Sequence, residues 1–385
     1  MNARERVLTA LNHQEPDRVP IDFAGTGVTT ICYQAYDELR KYLGYKPIGY
    51  RHEDLGAAAW AGVVTPHTEI YDRLRSDVKM AGMGSPDTWK LDIHYGDQND
   101  TYVDEWGTTV VRPKGGHYFD YRIFPIQSGT VEAVKAWKSW PDPNNPGRWE
   151  GFRQRCLDVR ATGRALTAFS VFGGGIFEQP ARVMPMEEYY MGLASDPKFA
   201  DLILGIMYDI YAAATERMLD EVGDILDVWV YWDDMSGQNE RLISPRFYHK
   251  HLKPLHRKLF DLVKSKTQAK IFFHCCGSAR PWIPDLIDVG VDILNPVQTS
   301  AAGMDPVGLK RDFGKDITFW GGACNPQGAL AFGTPEQVID EVRRNIDALA
   351  PGGGFVLANV HNIQNLVPPE NILAMFDTAY TYSCY

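Results

Sequence analysis

Residues 270–278 have the sequence KIFFHCCGS, in which a short apolar run ends on a histidine and two cysteines. The aliphatic and aromatic residues predict a buried β-strand that stops at the Gly-Ser turn. Side chains alternate along a strand, so His274 and Cys276 point to one side and Cys275 to the other. Imidazole and thiolate are ligands that zinc prefers, and the stretch therefore predicts a metal site containing His274 and Cys276. A buried histidine beside small apolar thiols is the alternative interpretation.

Strand and helix patterns alternate along most of the chain around this stretch. Eight strands are predicted to begin at Val19, Asp77, Ala165, Asp224, Lys270, Val291, Ile317 and Phe355, with helices between most of them. Eight such units are typical of a closed (β/α)8 TIM barrel, and 385 residues fit one large barrel. We therefore predict an α/β protein with a single barrel domain over residues 1–385. A doubly wound open sheet is the alternative, but no Gly-x-Gly-x-x-Gly segment lies between a strand and a helix.

The pattern changes between residues 87 and 126. Residues 89–93, 102–107 and 108–111 are prone to form strands, and the turn-forming residues Gly96, Asp97, Gly115 and Gly116 lie near them. A connection of this length usually has structure of its own. The segment predicts a β-hairpin insertion.

The charge balance excludes some classes of partner. The chain has 39 basic and 49 acidic residues, a formal charge of −10 and a pI near 5.5. No basic stripe is available for nucleic acid or an anionic membrane, and no apolar run is long enough for a membrane span. Six cysteines are too few for a disulfide scaffold, and residues 1–6 lead into an amphipathic helix instead of a signal sequence. We expect a cytoplasmic protein.

Polar residues recur where the predicted strands end. They are Asp22, Glu178, Asp233, Asp234, His274, Cys276, Asn295, Gln298, Cys324, Asn359 and His361. Any one of them has an ordinary structural explanation, such as an aspartate that caps a helix. In a (β/α)8 barrel, however, the carboxyl ends of all strands meet at one mouth, where active sites lie. The coincidence predicts an active site there.

The third metal ligand is expected to come from another strand end. His361 follows the last strand and is the strongest candidate, while Cys324, after the seventh strand, competes with it. A His/Cys/His set with one open position is a catalytic zinc arrangement. Glu178 or Asp234 could complete the coordination sphere or accept a hydrogen bond that orients His274.

Several segments together resemble the uroporphyrinogen decarboxylase superfamily. They are residues 4–8, 16–20, 242–248, 274–277, 290–296, 333–336 and 367–371. The resemblance extends from the first helix to the last and implies a (β/α)8 barrel, in agreement with the strand count.

True decarboxylases of this superfamily bind a carboxylate-rich tetrapyrrole with two close arginines in an N-terminal segment. The matching residues 21–26 contain no arginine. Asp22, Asp233 and Asp234 would repel such a substrate unless other cations were present. The resemblance therefore disfavours porphyrin decarboxylation.

The other branch contains zinc-dependent methyltransferases that work with corrinoid proteins, and its metal pattern is His-x-Cys followed by a distant Cys. His274 and Cys276 match the first half, and His361 stands at the place of the distant cysteine. Replacing a thiolate by a neutral imidazole raises the net charge of the metal site by one, which makes the metal a stronger Lewis acid. Activation of an ether or alcohol oxygen is then at least as plausible as a thiol acceptor.

These inferences predict a zinc-dependent methyltransferase that moves a methyl group between a small organic substrate and a corrinoid protein. The substrate would be a methyl ether, an alcohol or a thiol, as in an O-demethylase component. The chain has no Asp-x-His-x-x-Gly segment of a cobalamin-binding domain, so a separate protein must carry the corrinoid. For the oligomeric state of the protein, a homodimer is the assembly that we consider.

Roles follow for the remaining candidates. Asp234 and Glu178 are predicted to be catalytic, through delivery of a proton. The predicted substrate-binding residues are Asp22, Tyr231, Asp233 and Gln298, and Tyr231 with Trp232 could line a pocket for an aromatic methyl ether. Two alternatives stay open. One is a metal-free lyase acting on a non-porphyrin carboxylate, with Asp234 or His361 as the acid. The other is a non-enzymatic barrel that binds a small organic compound.

Overall fold

Eight parallel strands form a nearly closed barrel in the computed structural model, which describes residues 1–169 and 171–383. The strands are β1 (Ile21–Asp22), β2 (Val78–Met80), β3 (Ala165–Phe169), β4 (Val228–Trp232), β5 (Lys270–His274), β6 (Ile293–Asn295), β7 (Thr318–Gly322) and β8 (Phe355–Ala358). From β2 to β8 each strand pairs with its successor, and β8 pairs with β1. The predicted (β/α)8 barrel is confirmed.

Between β1 and β2 the barrel is joined by individual hydrogen bonds. The backbone N–H of Asp77 donates to the carbonyl of Ile21 at 2.7 Å, and that of Phe23 donates to Ser76 Oγ at 3.0 Å. The strand boundaries differ little from the predicted ones. β4 begins at Val228, four residues later than predicted, because residues 223–225 form a turn. The predicted third strand includes Ser170, which lies outside the described residues.

Helices cover the outside of the barrel. The longer ones are Tyr33–Tyr42, Phe152–Ala161, Met186–Ser195, Pro197–Val222, Lys253–Lys266, Pro306–Phe313, Pro335–Leu349 and Pro369–Tyr382. Shorter ones are Thr68–Arg73, Val131–Ala136, Pro146–Trp149, Pro180–Val183, Pro245–Phe247, Ile283–Asp288 and Ala329–Phe332. His52–Ala58 and Arg280–Trp282 are 3₁₀ helices, and Tyr248–Leu252 is a π-helix. The local sequence explains where several of these helices begin. Thr334 caps the amide of Gln337, and Pro335 occupies the first helical position, where its missing N–H costs nothing.

The side chains of β4 and β5 alternate between the interior of the barrel and the helix layer. Val230, Trp232 and Phe272 belong to the apolar cluster that fills the interior. Tyr231 and Phe273 belong to the larger cluster outside, where they contact the helix Lys253–Lys266. His274 follows Phe273 and therefore faces inward, at the carboxyl end of β5.

The first helix, Ala3–Leu11, closes the amino end of the barrel. Its residues Val7 and Leu11 are buried in the interior cluster together with residues of the strands. Asn2 caps this helix and forms a capping box with Glu5, which explains why the helix begins at Ala3.

The insertion is a four-stranded antiparallel sheet made of His94–Tyr95, Asn99–Val103, Thr109–Pro113 and Asp120–Ile123. The predicted hairpins are confirmed, with two differences. Residues 89–93 pack on the sheet without joining it, and residues 104–107 form a turn in which Asp104 Oδ1 accepts hydrogen bonds from the amides of Trp106 and Thr108. The hydroxyl of Thr108 also donates to the carbonyl of Arg182 at 2.7 Å, so the insertion is tied to the loop after β3.

Among the helices of the described ranges, none has both the length and the apolar character that a membrane-spanning segment requires.

Asp77 connects the first helix to the barrel, and its removal should destabilise the protein. The carboxylate is buried and paired with Arg6 at 2.7 Å and Arg18 at 2.8 Å, and it also accepts the amide of Ile21. Asp77→Ala would leave two poorly exposed guanidinium groups without this partner, at a cost of about 3–5 kcal/mol in the free energy of unfolding. Denaturant titration measures the change.

The control is Asp220→Ala, which removes the exposed partner of Lys266. Exposed pairs contribute about 0–1 kcal/mol, so this variant should unfold close to the parent. Equal unfolding midpoints for Asp77→Ala and Asp220→Ala would contradict the role assigned to Asp77.

Candidate metal centre

The register of three neighbouring strands determines the position of His274. Trp232 of β4 pairs with His274 of β5, and His274 pairs with Asn295 of β6. Residues paired across parallel strands point to the same face of the sheet, so the three side chains lie next to one another at the carboxyl end of the barrel. His274 is only 3% exposed.

Three metal-ligating side chains meet at this end of the barrel. His274, Cys276 and His361 each offer one ligand atom, and the three atoms lie within 4.8 Å of one another. Nε2 of His274 is 3.1 Å from Sγ of Cys276, and the two imidazole rings meet edge to face with centroids 5.4 Å apart. The structure thus brings together the three residues predicted from the sequence, although His361 is 87 positions away from His274.

Asn295 sets the orientation of the His274 ring. Its Nδ2 donates to the carbonyl of Trp320 at 2.8 Å, so its Oδ1 is free to accept, and Nδ1 of His274 lies 2.5 Å from that oxygen. Nδ1 therefore carries the ring proton, and the lone pair is on Nε2, the nitrogen beside Cys276. A metal-binding histidine is commonly oriented in this way.

His361 is held differently. The backbone N–H of Asn362 donates to its Nδ1 at 2.8 Å, and the amide of Asn359 donates to its backbone carbonyl. A metal bound to Nε2 would move the ring proton to Nδ1, and a metal bound to Nδ1 would take the place of the Asn362 amide. In either case metal binding replaces the contact with Asn362.

The electrostatics of the three residues fit a metal ligand set. Burial lowers the pKa of His274, and burial together with the neighbouring His274 lowers the pKa of His361 to about 3. Both rings are therefore neutral near pH 7, as ligation requires. Burial raises the pKa of the Cys276 thiol, so a cation is needed to stabilise its thiolate. Two imidazoles and one thiol are a donor set suited to zinc.

The other two cysteines considered for the site lie elsewhere. Cys275 is fully buried among apolar residues outside the barrel, and its Sγ accepts the amide of Met235 at 3.4 Å. Cys324 is also buried and contacts Glu341 of the helix Pro335–Leu349. Neither belongs to the group formed by the three candidate ligands His274, Cys276 and His361.

The two predicted catalytic carboxyl groups adjoin the ligand group. Asp234 Oδ1 accepts the amide of Cys276 at 2.7 Å, and the amide of Asp234 lies 3.4 Å from Glu178 Oε2. Burial raises the pKa of Asp234, and the charge of Glu178 raises it further. Glu178 is paired with Arg182, and the charge of Glu178 raises the pKa of Arg182. The arrangement therefore contains the carboxylate of Glu178, the guanidinium of Arg182 and the carboxyl group of Asp234, which tends to stay protonated.

Asp233 and Tyr231 lie beneath the mouth. Neither has any exposed surface. Asp233 accepts hydrogen bonds from Tyr231, from His256 and from the amides of Phe177 and Glu178. Both residues contact protein groups, and their predicted contact with a substrate stays a prediction.

Asp22 and Gln298 support loops around the mouth. Asp22 is fully buried and accepts hydrogen bonds from the indole of Trp320 at 2.7 Å and from the amide of Gly25 at 2.6 Å. Burial raises the pKa of Asp22 to about 6. Gln298 accepts the amide of Gly277 at 2.8 Å, immediately after the candidate ligand Cys276. Their predicted role in binding a substrate is likewise a prediction.

Two residues near the site, Phe169 and Arg182, were not assigned a role from the sequence, whereas Trp232 was predicted to line a pocket together with Tyr231. Trp232 and Phe169 face the barrel interior and stack with centroids 5.6 Å apart and planes at 22°. The guanidinium of Arg182 lies over the rings of Trp60 and of Tyr121 from the insertion. The spacing Glu178-x-x-x-Arg182 could have suggested the ion pair.

The fold and the ligand group define a (β/α)8 barrel protein with a metal-type site at the carboxyl ends of its strands. The model of the "Uroporphyrinogen decarboxylase (URO-D)" family matches residues 130–382. The chain belongs to this family of enzymes.

Individual relatives agree with this assignment. A uroporphyrinogen decarboxylase from Azoarcus sp. is 36% identical over 90 residues, and one from Aromatoleum aromaticum is 33% identical over 90 residues. Each match covers 22% of this chain and only 25% of the relative. A solved structure of a methyltransferase from Methanosarcina mazei covers 99% of both chains with a TM-score of 0.64 and 15% identity. At that identity the likeness concerns the fold.

Removing any one of the three ligands should abolish tight zinc binding. We expect the parent to bind about one zinc per chain, whereas Cys276→Ser and His361→Ala should lose affinity by orders of magnitude because two protein donors remain. His361→Cys should restore binding. Competition with a chelator measures the affinities.

The matched controls are Cys275→Ala and Cys324→Ala, which delete buried thiols outside the ligand group. Both should keep the affinity of the parent. Tight binding in His361→Ala together with weak binding in Cys324→Ala would reject the ligand set.

Asn295→Ala should weaken zinc binding about 10–100-fold, because the His274 ring would lose the partner that holds its proton on Nδ1. Asn295→Asp should retain more affinity than Asn295→Ala, since a carboxylate accepts the same hydrogen bond. Equal affinities for the parent and Asn295→Ala would show that ring orientation does not depend on Asn295.

Proposed function

We propose that this protein is a zinc-dependent methyltransferase that moves a methyl group between a small organic substrate and a corrinoid carried by a separate protein. The observation that supports this proposal best is the His274, Cys276 and His361 group beside two carboxyl groups at the barrel mouth. Membership of the URO-D family and the similarity in fold to a methyltransferase agree with it. The reducing cytoplasm is the proposed compartment, consistent with free cysteines among the described residues.

The three ligands would hold the zinc ion and leave one position open to the substrate. Zinc bound there would act as a Lewis acid on the heteroatom that carries the methyl group. His274 supplies a nitrogen whose direction is set by Asn295, and Cys276 supplies a thiolate once a cation stabilises it. With a methyl ether as substrate, the carbon–oxygen bond would break with its electron pair staying on oxygen, which takes up a proton, and the methyl group would bond to the electron pair of cobalt(I) in the reduced corrinoid.

Asp234 is the proposed source of that proton. Its pKa is raised, so the carboxyl group retains its proton closer to neutral pH than an exposed aspartate would. Burial is the main cause of the raised pKa of Asp234, the charge of Glu178 raises that pKa further, and Arg182 balances the charge of Glu178. After the transfer, a proton from solvent would return to Asp234 by way of the partly exposed Glu178.

The stacked rings of Phe169 and Trp232 support an aromatic methyl ether as the substrate. Trp232 is the strand neighbour of His274 and faces the same interior, so an aromatic group stacked there would lie close to the ligand group. Aromatic rings commonly line the binding sites of small organic molecules. Of the two rings predicted to line such a pocket, Trp232 is the one that faces the interior, whereas the ring of Tyr231 lies outside the barrel against His256 and Phe260.

A lyase acting on a non-porphyrin carboxylate is the second candidate. The observation in its favour is the sequence similarity to two uroporphyrinogen decarboxylases. Arg182 supplies a cation at the mouth, and Asp22 and Asp233 are too deeply buried to repel a carboxylate directly. The argument against a porphyrin therefore depends on the absence of arginine from residues 21–26. A lyase of this kind would work without metal.

Methyl transfer can be measured with the zinc-loaded protein, a reduced free corrinoid and a panel of methyl donors. We expect methylation of the cobalt, followed by its absorbance, with methoxybenzenes preferred over methanol and methylated thiols. Protein stripped of metal should be inactive and should recover when zinc is returned. Decarboxylation that persists in the stripped protein, without methyl transfer in the loaded protein, would favour the lyase.

Asp234→Asn should lower the rate of methyl transfer about 10²–10⁴-fold, the usual contribution of a general acid, because an amide cannot donate the proton. Glu178→Gln should have a smaller effect of the same sign. Zinc content should stay at the level of the parent in both variants. Donors with good leaving groups, such as methoxybenzenes bearing electron-withdrawing substituents, should depend least on Asp234. An equal loss with every donor would contradict proton delivery by this residue.

A further inference from the structure

Three successive backbone amides after β3 are held by groups buried beneath the barrel mouth. The amide of Ile176 donates to the hydroxyl of Tyr231 at 2.9 Å, and the amides of Phe177 and Glu178 donate to the carboxylate of Asp233 at 3.0 Å and 2.8 Å. Tyr231 also donates to Asp233 at 3.1 Å. The backbone that carries Glu178 is therefore fixed by one carboxylate and one phenol.

His256 completes this arrangement from outside the barrel. It lies on the helix Lys253–Lys266 with no exposed surface, and its Nε2 is 3.0 Å from Asp233 Oδ2. Nδ1 lies 3.4 Å from the hydroxyl of Tyr248 and can accept from it. With Nδ1 as the acceptor, Nε2 carries the proton and donates to Asp233. The ring stacks on Phe260 with centroids 5.5 Å apart, so its orientation is fixed by packing as well.

The stability of the fold does not by itself explain why His256 and Asp233 are paired in the interior. Replacing a buried ionic or polar pair by apolar residues of similar volume is often neutral or stabilising. His256 and Asp233 lie among apolar and aromatic residues, an environment in which apolar side chains could stand at the same two positions. What the pair provides is a fixed acceptor for the amides of Phe177 and Glu178. A displacement of about 1 Å in a catalytic group can cost about 10²-fold in rate.

We infer that His256 is a positioning residue: through Asp233 it holds the backbone of Phe177 and Glu178 and thereby sets the distance of Glu178 from Asp234 and the ligand group. This inference rests on the proposed function, in which Glu178 handles the proton that Asp234 delivers. It assigns a functional role to a residue on the outer helix, which does not face the barrel mouth.

The test compares three variants of the zinc-loaded protein. His256→Phe keeps a ring of similar size but removes the N–H donor, and His256→Gln keeps a donor. Phe260→Leu is the matched control, because it disturbs the same aromatic cluster and leaves Asp233 with all its partners. Hydrogen–deuterium exchange of the amides of residues 176–178, zinc content, kcat and KM are measured for each.

We expect amide exchange at residues 176–178 to be at least about tenfold faster in His256→Phe than in Phe260→Leu, once global stability is taken into account. The kcat for methyl transfer should fall about tenfold in His256→Phe, with unchanged KM and zinc content, and His256→Gln should recover most of it. Should His256→Phe fail to fold, Asp233→Asn tests the same hydrogen bonds from the other partner.

Equal exchange in His256→Phe and Phe260→Leu would overturn the inference, since His256 would then contribute only packing. Faster exchange without a fall in kcat would overturn it as well. If the parent transfers no methyl group from any donor, the proposed function fails, while the exchange data still decide whether His256 holds this backbone.

Discussion

The parallel register of β4, β5 and β6 is the constraint on which the candidate site depends. It places Trp232, His274 and Asn295 side by side at one end of the barrel, with all three side chains on the inner face. A shift of one residue in any strand would turn its side chain into the helix layer. The ring of Trp232, the candidate metal ligand His274 and the side chain of Asn295 that orients it are therefore fixed together by the same backbone hydrogen bonds.

The fold was largely predictable because its signals are local. All eight barrel strands were predicted from apolar runs that end in turns, and strand alternation separated Cys276 from Cys275. The position of His361 beside His274 also followed, because the carboxyl ends of all barrel strands face one mouth. The insertion was predicted as β-structure, but residues 89–93 lie outside the sheet, because their apolar side chains cover it.

The parts of the site that were not predicted depend on side-chain direction beyond the strand ends. Asp22 and Asp233 follow strands, as substrate-binding residues often do, yet both are buried under the loops and accept backbone amides. The sequence indicates where a strand stops but not which way the next side chain points. Arg182 was missed for a related reason, since the rings of Trp60 and Tyr121 next to it come from separate segments of the chain.

The closed amino end of the barrel limits how a reaction could proceed. Because Val7 and Leu11 fill that end, we expect reactants to reach the group of His274, Cys276 and His361 from the opposite, carboxyl end of the barrel. Two reactants that both approach His274, Cys276 and His361 must share one entrance. A small substrate would have to enter first and lie beneath the larger partner, and the product could leave only after that partner had withdrawn. The kinetic order of the two reactants would then be compulsory rather than random.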